Sequence, residues 1–327
     1  MLIYAGIDEA GYGPLFGPLT IGRVVLAIEN ADPGRRPPDL WHELRIAVCR
    51  RVSQRRGRVA VNDSKKIYSR STGLNRLEEG VLSFAALCGH CPSTVEKWLD
   101  FLGETVHRDL SDLPWYAPSE EQPWELLPCA CTDGELAVAR GMLRTAAKAA
   151  RVRVVDMSAA VVFEDRFNRM VKATRSKAAA SFTFVAGHLN AIWDRFGSDD
   201  PIVVVDRQSG RTHYRELLQQ TFPDAHIVVE DESDERSVYR LDADSRRMTI
   251  RFEVEAEQAN MPVALASMVS KYTRELLMAR FQAWFHRRAP HVKPTAGYAS
   301  DAKRFWQQIQ PHLAELAIEP DKLRRRR

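Results

Sequence analysis

The chain has 327 residues, 45% of them hydrophobic, with a formal net charge of +4 and a pI near 8.8. That is enough apolar material for a sizeable core, and too small a charge imbalance to demand a polyanionic partner by itself. No run of about eighteen apolar residues occurs, and the start Met1-Leu2-Ile3-Tyr4 lacks the basic region of a signal peptide, so a soluble, cytoplasmic protein that does not engage a membrane is expected.

In chain order, Leu2–Ile7 reads as a short apolar strand, residues 8–18 as a loop and Leu19–Ile28 as a second strand. An Arg-rich stretch, Arg45 to Arg58, is expected to be partly helical. Leu74–Leu87 carries a helical apolar stripe. Residues 88–150 read as a helical and irregular insertion, with prolines and Trp98, Trp115 and Trp124 ahead of an Ala-rich helix, Glu135–Ala150. Arg151–Val162 resumes as strand, and Asp165–Phe196 as one helix or two broken near Arg175. Pro201–Val205 is a wholly apolar β-branched run, the mark of a central buried strand, and it stops at Asp206. Residues 230–235 form an acidic loop, and Ser237–Leu241 with Met248–Val254 a hairpin. Asn260–Phe285 and Ala302–Leu316 are the last helices, before a basic, solvated tail at 322–327. Strands alternating with helices after an antiparallel pair give an α/β fold with a mixed sheet, in one domain over 1–327.

The strongest chemical signal is Asp8-Glu9-Ala10-Gly11-Tyr12-Gly13-Pro14. Two adjacent carboxylates close a buried strand, and successive strand residues face opposite sides. Like charges at a core edge are costly unless a cation balances them, and hard oxygen donors suit Mg²⁺ or Mn²⁺. Asp206 closes the apolar strand, where ligand sites of open α/β sheets collect; a lone Asp there is otherwise a turn former or helix cap.

The run Asp8 to Pro18 resembles the opening of the ribonuclease HII family, Asp-Glu-Ala-Gly-Arg-Gly-Pro-Leu-Ala-Gly-Pro. Asp63-Ser64-Lys65-Lys66 matches the family's Asp-Ser-Lys-Lys block, and Leu265 to Glu275 resembles its Ala-Ala-Ser-Ile-Leu-Ala-Lys-Val-Thr-Arg-Asp helix. Gly297-Tyr298-Ala299-Ser300 is similar to its Gly-Tyr-Gly-Thr block, and the order of blocks is the same outside residues 88–150. The resemblance implies a ribonuclease H-like mixed β-sheet flanked by helices. It implies a monomeric two-metal endonuclease, with Mg²⁺ or Mn²⁺, acting on RNA–DNA hybrids or ribonucleotide-containing DNA to leave 5′-phosphate and 3′-hydroxyl ends. The implied catalytic and metal-binding residues are Asp8, Glu9, Asp206 and Glu257. Gly11, Tyr12, Gly13, Ser64, Lys65 and Tyr298 are the implied substrate-binding residues.

Two positions depart from the family. Its fourth carboxylate is an Asp ten positions before the helix serine; here that position holds Glu257, with Glu255 a rival if the strand runs on so that Glu253, Glu255 and Glu257 share a face. Tyr12 replaces the loop arginine, although the related ribonuclease HIII also lacks it and carries Phe-Gly-Pro-Leu, as Phe16–Leu19 does here.

Other readings remain open from the residues alone. A catalytically impaired nucleic-acid-binding relative is one, and a superfamily nuclease acting on DNA structures another. Gly11-Tyr12-Gly13 with Gly17 faintly resembles a dinucleotide loop, but Pro14 and Pro18 spoil the helix start that would hold a pyrophosphate. Among the five cysteines, Cys88 and Cys91 with Cys129 and Cys131 would complete a zinc site if the two pairs met, and are otherwise incidental thiols.

Overall fold

The computed structural model describes residues 1–33, 36–69, 71–103, 110, 112–207 and 210–326. Residues 104–109 and 111 of the expected insertion and Arg327 of the basic run lie outside the described residues. The strands are β1 (Leu2–Ala10), β2 (Leu19–Ile28), β3 (Val48–Cys49), β4 (Val59–Ala60), β5 (Val152–Val162), β6 (Ile202–Asp206), β7 (His226–Glu232), β8 (Arg236–Ala243) and β9 (Arg246–Glu253). The helices are α1 (Leu40–Glu43), α2 (Ser64–Ile67), α3 (Asn75–Leu87), α4 (Val95–Phe101), α5 (Asp133–Ala150), α6 (Glu164–Thr174), α7 (Lys177–Phe196), α8 (Arg215–Thr221), α9 (Met261–Arg288), α10 (Ala299–Ile309) and α11 (Pro320–Leu323).

Seven strands form one sheet in the order β5-β2-β1-β6-β9-β8-β7. β2 runs antiparallel to β1 and β5, β6 lies parallel to β1 and β9, and β8 pairs antiparallel with β9 and β7. This is the expected mixed sheet with helices on both faces. β1 and β6 sit at its centre because they are apolar on both sides: every residue from Leu2 to Asp8 and from Ile202 to Val205 is buried. One face packs on α3, α5 and α9, the other on α6, α7 and α8.

α9 lies directly against the sheet. A Cβ on Gly6 of β1 would sit 2.2 Å from the backbone carbon of Pro262, so only a residue without a side chain admits the helix there. The tryptophans of the irregular stretch join this same core: Trp98 and Trp115 are fully buried. The stretch also wraps a buried cation. Arg280 of α9 donates to the carbonyls of Tyr116, Ala117, Gln122 and Pro123 and to the Glu125 carboxylate, at 2.7–3.1 Å.

Several elements differ from expectation. β1 continues through Asp8 and Glu9 because it pairs with β2 as far as Ala10–Thr20. The Arg-rich stretch Arg45 to Arg58 is not helical: it is irregular apart from β3 and a 3-10 turn at Val52–Gln54, and α1 ends before it at Glu43. The acidic stretch is not all loop, since Glu230–Glu232 end the edge strand β7. The long helical region does break at Arg175, which takes a left-handed φ of 55°. The helix expected over Ala302–Leu316 is α10, which ends at Ile309 with a 3-10 turn after it, and the short α11 follows. The tail is not simply solvated: Leu323 and Arg325 are buried.

Candidate active site

The parallel register pairs Ile7 of β1 with Val205 of β6, and Asp206 with Glu253 of β9. One step further along β1 and β6, Asp8 and Asp206 stand side by side on the face toward α9. Glu9 takes the opposite face and is half-buried. Asp206 accepts the backbone N–H of Ala256 at 3.0 Å. That bond anchors the 3-10 turn Ala256–Gln258, and the turn delivers Glu257 to within hydrogen-bonding reach of Asp206.

The condition for Glu255 to share a face with Glu257 is not met. β9 stops at Glu253, and Glu255 adopts a left-handed φ of 51°. Its side chain is exposed and bonds to Gln258, whereas Glu257 is buried. Glu253 turns to Asn260 Nδ2 at 2.9 Å, and Asn260 in turn accepts the Tyr4 hydroxyl.

These carboxyls repel one another. Burial, then the charges of Asp206 and Glu9, hold the Asp8 carboxyl well above its usual range. Burial and Glu257 push Asp206 up to about 7, against the lowering effect of the Ala256 N–H. Burial likewise raises Glu257. Lys65 projects from α2 beside them. Its partial burial opposes its charge, yet Asp63, Asp8, Glu257 and Asp206 together keep the ammonium above its ordinary pKa.

Supporting contacts fix the frame. Asp63 caps α2 through the Lys65 N–H at 3.0 Å. Ser267 of α9 hydrogen-bonds Asp8, and its hydroxyl lies 3.1 Å from that of the buried Ser64. Ser270 Oγ donates to the Asp8 carbonyl at 2.9 Å. Among the described residues, no three carboxylate, imidazole or thiol groups converge on one point as the side chains stand. Asp8, Glu9, Asp206 and Glu257 form linked neighbours and not a closed cage. Their oxygen donors and mutual repulsion still fit a hard divalent cation, which would relieve the charge.

The glycine loop follows directly. Gly11 has a φ of +87°, and a Cβ there would come 2.5 Å from Arg274 Nε, so glycine is required for the turn and for the arginine beneath it. Gly13 is exposed, with open space where its Cβ would be. Tyr12 is half-buried and packs on the core of the α7 face. The loop is tied to the Tyr298 segment by the Leu15 N–H, which donates to the Gly297 carbonyl at 2.7 Å. Tyr298 is 44% exposed, with the Arg274 guanidinium 5.5 Å from its ring centroid. It borders a cavity of about 450 Å³ with Tyr68, Lys271, Arg274 and Glu275.

Asp63, Ser267, Arg274 and Arg325 belong to this frame and were not picked out as site residues by sequence reasoning. Asp63 and Ser267 sit inside the motif blocks and could have been. No local pattern announces Arg325.

Among the described residues the two cysteine pairs are not brought together into a group that could hold a metal. Cys129 and Cys131 flank the buried Glu78, which with burial pushes both thiols up to about 12, the reverse of what a thiolate ligand needs. Cys88 lies near Asp156 and Cys91 is exposed.

No helix among the described residues is long and apolar enough to cross a membrane. No protein-family model matches the chain, and no curated protein matches it. Solved structures do. The chain is similar to RNase HII from Archaeoglobus fulgidus, solved as a complex with PCNA, at 16% identity over 99% of this chain and 95% of that one, with a TM-score of 0.47. It is similar to the ribonuclease H2 from Pyrococcus horikoshii OT3, at 16% identity over 98% and 92% of the two chains, with a TM-score of 0.46. It is also similar to Bst-RNase HIII in complex with Mn²⁺, at 13% identity over 99% of this chain and 66% of that one, with a TM-score of 0.41. These three solved structures bear the names RNase HII, ribonuclease H2 and RNase HIII.

Proposed function

We propose that this protein is a divalent-metal-dependent endonuclease that hydrolyses the RNA strand of RNA–DNA hybrids, leaving 5′-phosphate and 3′-hydroxyl ends. The observation that carries the reading is the set of buried or half-buried carboxyls Asp8 and Glu9 at the end of β1, Asp206 at the end of β6 and Glu257 on the turn beside them, with burial first and neighbouring carboxylates second raising Asp8, Asp206 and Glu257. A bound divalent cation would offset the cost of gathering these carboxylates.

Asp8, Glu9, Asp206 and Glu257 are the residues that would hold Mg²⁺ or Mn²⁺. Bound there, the metal supplies water of low pKa and charge stabilisation at the phosphodiester. The protein supplies the rest. Ser267 and Ser270 fix Asp8 from α9, and Ala256 fixes Asp206, so the acidic oxygens are held before substrate arrives. Lys65 places an ammonium next to the cluster, where it meets a strand phosphate. The Gly11–Gly13 backbone approaches the ribose 2′-hydroxyl that distinguishes RNA from DNA, and Tyr298 stacks on a sugar or base of the bound strand.

The test is one labelled panel: RNA–DNA hybrid, a single ribonucleotide in duplex DNA, double-stranded RNA, double-stranded DNA and an all-DNA junction, each with Mg²⁺, Mn²⁺ or chelator. Metal-dependent cutting of the hybrid is expected, and Asp8→Asn should abolish it while leaving binding largely intact. Wild-type-like turnover in Asp8→Asn, or cutting of the DNA junction alone, rejects the proposal.

A further inference from the structure

Arg325 is 1% exposed, although it belongs to a run of arginines that sequence assigns to solvent. Its Nη2 donates to the Gly11 carbonyl, and its backbone N–H donates to the Leu15 carbonyl at 2.8 Å. Its guanidinium lies 5.1 Å from the Phe167 ring centroid. Asn168 of α6 clasps the same segment. Its Nδ2 donates to the carbonyls of Asp321 and Arg324 at 2.8 and 2.9 Å, and its Oδ1 accepts the Arg326 N–H at 2.7 Å. The glycine loop is therefore gripped at two points by a residue 314 positions away.

Holding a guanidinium here is expensive. Arg274 lies close by, and the nearby buried carboxylate, Glu164, is engaged by the Gly17 N–H and the Tyr116 hydroxyl at 2.8 and 2.9 Å. Arg325 Nε and Nη1 have no hydrogen-bond partner among the described residues. A hydrocarbon side chain would fill the space at lower cost. What a hydrocarbon cannot do is hold the Gly11 carbonyl inward.

That bond has a geometric consequence. In a trans peptide the C=O and the next N–H point in opposite directions, and the Gly11–Tyr12 peptide is trans. Fixing the Gly11 carbonyl toward Arg325 turns the Tyr12 N–H away from the interior, while the next residue, Gly13, leaves its Cβ position open. We propose that Arg325 is a positioning residue: by orienting the Gly11–Tyr12 peptide it aims a backbone donor at the ribose 2′-hydroxyl of the RNA strand. The inference rests on the hybrid-nuclease reading above.

The experiment measures binding of an RNA–DNA hybrid and of an all-DNA duplex of the same sequence, in an Asp8→Asn background that does not cleave. Arg325→Met should lower hybrid affinity several-fold, up to about tenfold, the scale of one lost neutral N–H···O hydrogen bond, and leave duplex-DNA affinity unchanged. Arg325→Lys, which keeps a charged donor, should restore most of the preference. Asn168→Ala loosens the segment without touching the Gly11 carbonyl, so it should lower the melting temperature and keep the preference. An unchanged preference in Arg325→Met overturns the proposal alone, as does an equal loss in Asn168→Ala. No hybrid preference in the parent protein overturns it together with the reading beneath it. If Arg325→Met does not fold, amide exchange in the parent decides: the Tyr12 N–H should exchange more slowly with hybrid bound and not with duplex DNA, and an unaltered rate refutes the assignment.

Discussion

Asp206 holds Ala256: the carboxylate that ends a central strand accepts the backbone N–H of the residue just before Glu257, at 3.0 Å. One acidic side chain thus positions the turn that carries another, and the repulsion between them is built into the fold. Asp206 has a pKa near 3.8 unfolded and is pushed up to about 7 here by burial and Glu257. The folded state favours its protonated form, so the group costs increasing stability as pH rises from about 4 to about 7, and the full penalty persists above that. In chelator, Asp206→Asn should raise the melting temperature by several degrees at pH 8, and by less at pH 5. Mg²⁺ or Mn²⁺ should raise the wild-type value and barely move the variant's. Melting curves at both pH values check this, and a variant less stable than wild type at pH 8 would contradict it.

Glu257 and Glu255 are chemically alike and differently placed. Glu257→Gln should lower hybrid cleavage by more than about a hundredfold, beyond the scale at which even supporting contacts of metal sites act. Glu255→Gln should stay close to wild type, because that side chain faces solvent and Gln258. Single-turnover rates of the two variants decide, and the reverse order would move the fourth ligand.

Lys65 and Tyr298 should act on binding. Lys65→Ala removes one phosphate contact, so hybrid affinity should fall and its salt slope flatten by about one unit. Tyr298→Ala should cost about 1–3 kcal/mol if the ring stacks on a base, and less on a sugar. Affinities measured across a salt series report both.

Tyr12 bears on substrate choice. An arginine in its place would offer a charged donor fork; tyrosine offers one hydroxyl. A run of ribonucleotides can spread recognition over several 2′-hydroxyls, whereas a single embedded one relies on the loop. The protein should therefore cut hybrid faster than a duplex with one ribonucleotide, and Tyr12→Arg should narrow that ratio by roughly tenfold. Equal wild-type rates on the two substrates would dismiss the idea.

Glu78 explains the Cys-Ala-Cys spacing without a metal. Its carboxylate accepts the backbone N–H groups of Cys129, Ala130 and Cys131 at 2.5–2.8 Å and the Tyr272 hydroxyl at 2.8 Å. Burial alone would raise its pKa, but these donors outweigh it and hold it below the usual value. The stability it contributes is present above pH 4.5 and is lost as pH falls through the folded value. Glu78→Gln should cost about 3 kcal/mol at neutral pH, with a smaller deficit in acid. A zinc chelator should leave the melting temperature unchanged. Denaturant titrations at two pH values test the first expectation.

How much of this was legible follows from what is local. β2, β6 and the β8–β9 hairpin are written in short apolar runs and turn residues, and Asp206 stands out because such a run stops at it. β7 is not, because an edge strand buries little: Val229 is 40% exposed and acidic residues follow. Glu257 was reachable by its offset from Ser267, but the left-handed turn at Glu255 that separates the two glutamates was not, since a strand face cannot be read past an unseen kink. Trp98 and Trp115 signalled burial without saying where; their place depends on α9, more than 140 residues on. Arg325 was least legible, because its partners are at the other end of the chain.

The contact between Ser270 and the Asp8 carbonyl joins residues 262 positions apart. During synthesis at roughly 5–20 residues per second, β1 waits on the order of tens of seconds for the helix that covers its Gly6 face. Asp8 and Glu9 are made well before α9, and a nascent or truncated chain lacking α9 has neither the serines that fix Asp8 nor a cover for the central strand. If the site acts as proposed, it is complete only once α9 has docked, and an interrupted polypeptide should be inert and prone to aggregate.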